Sequence, residues 1–396
     1  MKKLLFTTLC IISVLSYAQD QSSVSESTTT KIADYLKPGK SKFMLRGYYH
    51  TGFDNIQTGD DKESRFNPGT IAPILMYKQS DRLFFEAEFE GSFEGEGFDL
   101  GLEFANVSYV LNDYMIVRAG KFLLPFGSFM EKLHPAWINR LSTVPLGYGH
   151  DGILPTTDIG VELRGAFYAG NIKLNYQLYA INGPQLKVGG DEPEEDGMLN
   201  FGAFEDNNLD KTFGGRLGIF PFSNSSLELG FSALSGSVGS QETVYENVST
   251  NMYAMDLSFV RNVSFLKSLV DIKGQYNFVK TDNANYDDLE GAPGDQYTYN
   301  NESSAYYGQL SIRPSMSGNN FLRKLELVGR YSALETPEGA LWEQNPTQTA
   351  VGLNYWFDWR TVLKIGYQTT DGLQEGHDAD ETISSNLIYV HWALGF

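Results

Sequence analysis

Residues 82–94 alternate so strictly that they admit only one kind of environment. Leu83, Phe85, Ala87, Phe89 and Phe93 fall on one face of a strand, and Glu86, Glu88, Glu90 and Glu94 on the other. A row of carboxylates cannot face hydrocarbon, whereas the apolar face suits lipid or a core. The segment therefore reads as a strand with one apolar side and one wet side.

The same period of two runs from Phe43 to the end of the chain. It gives about sixteen strands of roughly ten residues, beginning near Phe43, Gly69, Leu83, Phe98, Tyr114, Thr157, Ile172, Thr212, Leu227, Asn251, Ser268, Ser304, Lys324, Thr347, Thr361 and Ser384. Beyond the N-terminal apolar run, nothing is long and apolar enough for a spanning helix. A set of 23 Tyr, 26 Phe and 40 Gly with a negative mean hydropathy suits a barrel in which alternate residues meet lipid and the others line a wet lumen. The expected fold is all-β, a closed antiparallel transmembrane barrel of about sixteen strands.

The connections alternate in length. Short turns fall at 80–81, 112–113, 170–171, 223–226, 262–267, 315–320 and 359–360. Between them lie long segments at 54–66, 122–156, 183–211, 236–250, 281–303, 335–346 and 371–383, with 94–97 the one short link on that side. Short turns at one end and long loops at the other match the periplasmic and extracellular ends of an outer-membrane barrel.

The N-terminus carries its own address. Met1-Lys2-Lys3, an apolar run from Leu4 to Leu15, and small residues at Ser16 and Ala18 read as a secretory signal over 1–18, cut before Gln19. Cys10 lies inside the apolar run with too few residues ahead of it for a full hydrophobic region, which disfavours lipidation. Without the signal no cysteine remains, so no disulfide supports the fold. Residues 19–42, rich in Ser, Thr and Gln, read as a flexible periplasmic tail, and 43–396 as the barrel. At the other terminus Ile388, Val390, Trp392, Leu394 and Phe396 share one face. A closing Phe on such a strand resembles the signal read by the barrel assembly machinery.

The stretch Arg118-Ala119-Gly120-Lys121-Phe122-Leu123-Leu124-Pro125-Phe126-Gly127, followed by Trp137-Ile138-Asn139-Arg140, resembles the phosphate-selective porin O and P family, as does Tyr179-Ala180-Ile181-Asn182-Gly183. In order and spacing the likeness covers most of the barrel. It implies a sixteen-stranded porin in the outer membrane of a Gram-negative bacterium, commonly a homotrimer, with the third long loop folded into the pore. It also implies phosphate selection by an arginine ladder and loop lysines. This chain departs from that pattern. Arg46, Arg118, Arg164, Arg216, Arg313 and Arg330 share the expected pore wall with Glu86, Glu88, Glu90, Glu103, Glu162 and Glu326.

Residues 122–156 form the longest loop, and Leu123, Phe126, Phe129, Met130, Trp137 and Ile138 in it need a surface to pack on. The barrel interior near its waist offers one; a rim or a neighbouring subunit is the alternative. Folded inward, the loop brings Lys121, Lys132, His134 and Arg140 to a constriction, with its cations toward the Glu86, Glu88 and Glu90 stripe. The resulting transverse field gives weak charge selectivity.

Other chemistries find little support. A net charge of -19 excludes nucleic acid as a partner. The acidic runs Asp191, Glu192, Glu194, Glu195, Asp196 and Asp371, Glu375, Asp378, Asp380, Glu381 match no calcium-loop spacing and read as solvated loops against lipopolysaccharide, so no metal or cofactor is expected. The five histidines form no catalytic motif: His50 and His391 are placed near opposite ends of adjacent strands, and His134, His150 and His377 in loops. The functional expectation is a passive porin for small hydrophilic solutes or ions. The alternative is a substrate-specific channel for phosphate, another organic anion or an oligosaccharide, using Trp137, Tyr148 and the arginines.

Overall fold

A computed structural model describes residues 42–94, 97–149, 152–189, 193–288, 295–375 and 378–396. The signal and nearly all of the tail, His150, Asp191, Glu192 and His377 lie outside the described residues.

Sixteen antiparallel strands close into one barrel. In chain order they are β1 (Lys42–Thr58), β2 (Asp61–Lys78), β3 (Leu83–Glu94), β4 (Gly97–Asn112), β5 (Met115–Leu123), β6 (Thr157–Ala169), β7 (Ile172–Ile181) and β8 (Thr212–Phe220), then β9 (Leu227–Ser237), β10 (Ser249–Val263), β11 (Ser268–Thr281), β12 (Glu302–Arg313), β13 (Leu325–Glu335), β14 (Thr347–Trp356), β15 (Thr361–Glu375) and β16 (Asp378–Gly395). Each strand pairs with its chain neighbours, and β1 with β16 closes the ring, so every strand has two partners and no edge is left open.

The alternation sorts residues between the two faces. In β16, Ile388 and Trp392 are 50% and 47% exposed while Tyr389 and His391 between them are 1% and 6% exposed. The outward face is apolar around the ring, with Leu178, Phe213, Met255, Leu327 and Ile365 among its members. Aromatic rings gather toward the turn end, where Phe357 stacks on Trp392 at 4.9 Å and Arg360 lies over Trp359. That is the interfacial belt of a lipid-facing barrel.

The C-terminus completes the seam. Phe396 exchanges two backbone hydrogen bonds with Gly47, at 2.9 and 3.1 Å. A Cβ on Gly47 would lie 2.6 Å from the Phe396 ring, so a glycine here makes room for the last side chain.

Two of the segments expected as long loops are strand instead. β1 and β2 stay paired to Thr58 and Asp61, turning at Gly59, and β15 and β16 run on to Glu375 and Asp378. Strands accordingly span 9 to 18 residues rather than about ten. These extensions are polar on both faces, as at Asn55, Gln57, Asp61 and Glu63. Above the lipid a hairpin needs no apolar alternation, so its ladder leaves no such periodic signal.

The other long connections pack together at the loop end. Two short ladders, Gln185–Leu186 with Leu199–Asn200 and Tyr286–Asp287 with Gln296–Tyr297, stand among them. Leu186, Val238 and Val248 form one small core, and Tyr286, Tyr299 and Ala340 another. The Asp196 carbonyl accepts from Tyr299 Oη (2.7 Å) and Trp342 Nε1 (3.1 Å), tying the loops into a roof.

Candidate functional site

The segment 124–156 leaves β5 and returns to β6 with its ends pinned by Leu124 N donating to Thr156 O at 2.9 Å. Gly127 turns it, at φ +67; a Cβ there would meet the Gln275 side chain at 2.0 Å, so a glycine is required twice over. A short helix follows, α1 (Phe129–Leu133), whose Ser128 makes no side-chain cap. Gln275 Oε1 of β11 does that work, accepting from Ser128 N (2.9 Å) and Phe129 N (3.2 Å). Phe129 packs edge-on to Tyr148 and Tyr307, inside a core that also takes in Leu124, Phe126, Met130 and Leu154 of the segment and Met252, Val279 and Leu334 of the wall. The apolar residues of the segment thus pack on inward-facing side chains of the barrel. Leu199 joins this core to the roof.

Its charged side chains reach around the wall. Glu131 pairs with Arg164 of β6 (2.5 Å) and accepts from Gln177 of β7. Lys132 pairs with Glu228 of β9 (2.6 Å), which also holds Arg216, itself paired with Asp256. His134 Nε2 stands 3.8 Å from Glu88 of β3, whose carboxylate also accepts from Tyr48 of β1. Arg140 lies 3.3 Å from Asp271 of β11 and 3.4 Å from Glu326 of β13. Buried pairs of this kind add little net stability but specify one position, because each partner left alone would be an uncompensated charge.

Two further cations grip the backbone of the segment. Lys364 of β15, 1% exposed, donates to the carbonyls of Ala136 (2.6 Å), Asn139 (2.6 Å) and Leu141 (3.3 Å). Arg330 of β13 donates to the Thr143 and Val144 carbonyls and to Thr143 Oγ1. Asn354 adds a bond to Arg140 O, and the Trp137 ring comes within 5.9 Å of Trp359 in the last short turn. The segment therefore runs from the loop end down to the turn end.

The barrel has the fold of outer-membrane porins. Similar solved structures include the outer-membrane channel DcaP of Acinetobacter baumannii (13% identity, 91% of this chain and 99% of that one, TM-score 0.58), OprB of Pseudomonas putida (9%, 92% and 96%, 0.57) and the anion-selective porin of Comamonas acidovorans (13%, 90% and 100%, 0.55). No protein-family model and no curated protein matches the chain. At these identities the likeness is one of fold.

Several residues singled out from the sequence sit elsewhere than expected. Lys132 and Arg140 meet carboxylates of β9, β11 and β13, not the Glu86, Glu88 and Glu90 stripe; of the four constriction candidates His134 is the one beside that stripe. The reason is reach: α1 lies across the lumen, and successive helical side chains point to different walls. Lys121 stays on β5, donating to Leu102 O (2.8 Å) under the Phe204 ring. Arg118 is sealed against Glu162 at 2.6 Å. Glu103 falls at a register slip of β4, between Leu102 and Phe104, which face consecutive residues of β3. Arg46 is exposed near the start of β1 and touches Met44, and Arg313 lies 5.9 Å from the Trp356 ring. Tyr148 is core, accepting from Asn277 Nδ2 at 2.6 Å. His50 and His391 do sit near opposite ends of adjacent strands, which antiparallel pairing brings side by side with rings 6.1 Å apart, and His391 Nε2 meets Asp54 at 2.7 Å. Lys364 was not singled out, though a lysine at an inward position of an apolar strand was the available sign.

Proposed function

We propose that this chain is an outer-membrane porin through which small hydrophilic solutes and ions diffuse, with segment 124–156 as its constriction. The observation that carries this reading is the segment's attachment to opposing walls of a closed barrel, through Glu88 on one side and Lys364, Arg330 and Asp271 on others. Such a bridge narrows the lumen without a separate plug domain. The wall residues Arg46, Glu86, Glu90 and Arg164 and the loop residues Lys132, His134 and Arg140 then face the path. Because Lys132, Arg140 and Arg164 are each matched by a carboxylate, charge selectivity is weak. The same pairing counts against phosphate selection: Arg118, Arg164 and Arg216 are held by Glu162, Glu131, Asp256 and Glu228 rather than forming an open ladder. The chain on this reading is exported by its signal, assembled through Phe396, and set among lipid and lipopolysaccharide as a homotrimer.

Planar-bilayer recording tests it. Purified protein should give large stepwise openings, and shortening the segment between Ser128 and Thr143 should raise single-channel conductance. Unchanged conductance after shortening would remove the segment from the path, and micromolar block by phosphate would restore the anion-specific reading.

A further inference from the structure

The turn end of β10 to β15 carries cations that no carboxylate matches. Arg261, Lys267, Arg323 and Arg360 are exposed there and Lys324 is half-buried. Among the described residues none of the five stands in an ion pair. Arg323 donates to Asn320, and Lys324 donates to the Phe357 carbonyl (3.2 Å) while lying 5.8 Å over the Tyr355 ring. The one carboxylate on these turns, Asp358, accepts from Arg360 N and Thr361 Oγ1 of its own turn. Two of the turns are tied together: Met316 N donates to Lys267 O at 3.1 Å, and Ser315 Oγ meets Asn262 Oδ1 at 2.7 Å. Their cations therefore belong to one surface.

That surface faces lipid. Residues opposite one another in a ladder share a face, and register places Arg261 in one row with Val270, Ile312 and the outward-facing Leu327. Phe265 is 86% exposed and Phe321 57%, with Leu266, Met316 and Leu322 exposed beside them. Phe321 packs on Tyr355 at 5.5 Å, Tyr355 on Phe357 and Phe357 on Trp392, so the patch runs on into the aromatic belt. Apolar side chains set between cations suit the depth at which acyl chains give way to headgroups.

The loop end of the same wall has the opposite sign. A groove of about 860 Å³ there is lined by Glu302, Glu335, Glu338 and Glu343 above Tyr276 and Tyr306, and of the four Glu302 is paired, with Lys280. Lipopolysaccharide phosphates in the outer leaflet would meet like charge. The short turns face the periplasm, so the unmatched cations meet the inner leaflet.

We infer that the turn end of β10 to β15 is a docking surface for an anionic phospholipid of the periplasmic leaflet. The headgroup phosphate lies among Arg261, Lys267, Arg323 and Lys324, and the acyl chains lie against Phe321 and Leu327. This goes beyond the diffusion reading and does not depend on it, since the surface is outside the lumen.

Phosphatidylglycerol is the probe. Native mass spectrometry on the full chain, released from micelles holding equal amounts of phosphatidylglycerol and phosphatidylcholine with the same acyl chains, reads which lipid stays bound. Phosphatidylglycerol should be retained about tenfold over phosphatidylcholine, since each cation beside an anionic headgroup is worth roughly fivefold. Changing Arg261, Lys267, Arg323 and Lys324 together to Gln should bring the ratio close to even, whereas Arg82→Gln with Lys173→Gln, on other turns of the ring, should leave it unchanged. Each variant is first shown to be folded by heat-modifiable mobility. Excess inorganic phosphate should not displace the lipid, and lipopolysaccharide should not replace it. Even retention of the two lipids by the unmodified protein, an unchanged ratio in the fourfold variant, or an equal fall in the Arg82 and Lys173 variant overturns the surface. Displacement by free phosphate or by lipopolysaccharide overturns the assignment to a periplasmic-leaflet lipid.

Discussion

Lys364 illustrates how one side chain can hold a long connecting segment in place. Its ammonium is out of water and its three hydrogens are matched by three carbonyls of the segment. Replacing it with Met keeps the volume but leaves those carbonyls without a donor, at about 1–3 kcal/mol for each that finds no other. Lys364→Met is expected to lower the unfolding temperature in detergent and to add open-channel noise as residues 136–141 loosen. A quiet channel in a less stable protein would show that the lysine supports the wall only. At this scale the sequence was partly legible. The alternation marked Glu88 as facing water, but it carried no information on which cation would meet it, because partner choice depends on where a loop of more than thirty residues lands. Arg330 was recognised as inward-facing; that it would hold backbone carbonyls rather than face solute was not readable from spacing.

At the scale of elements, strand existence and order followed from the period of two, and the start of β3, β6, β7, β8, β9, β11, β14 and β15 matches the expected residue. The misses cluster where lipid is absent. Once β1, β2, β15 and β16 rise above the membrane, burial no longer separates the two faces, and the pattern that identifies a membrane strand disappears. The last strand is the clearest case of sequence reaching structure, since its outward residues end on Phe396, whose backbone pairs with Gly47. Deleting Phe396 removes those two bonds from the seam as well as the terminal ring. The deletion should leave synthesis unchanged and lower the amount of protein assembled in the outer membrane, as measured by surface labelling against total protein. Normal surface labelling would mean that the seam closes without it.

For the molecule as a whole, a closed ladder with no open edge should resist detergent unfolding, because every strand must lose two partners at once. The unheated protein is expected to migrate faster than the boiled one on a denaturing gel, with a β-dominated far-ultraviolet spectrum. A helix-rich spectrum would sink the fold. The interior tightens this further, because Leu199 packs against both the segment core and the roof.

The attachments of segment 124–156 fall mainly on β6, β7, β9 and β11 to β16, with His134 reaching back to β1 and β3. A barrel wound around such a piece is built on a former. Its girth is gauged from within, since a ring one hairpin wider would carry Glu88 or Lys364 out of reach of His134 or the 136–141 carbonyls. Register between neighbouring strands would permit a larger ring; the interior would not fit it.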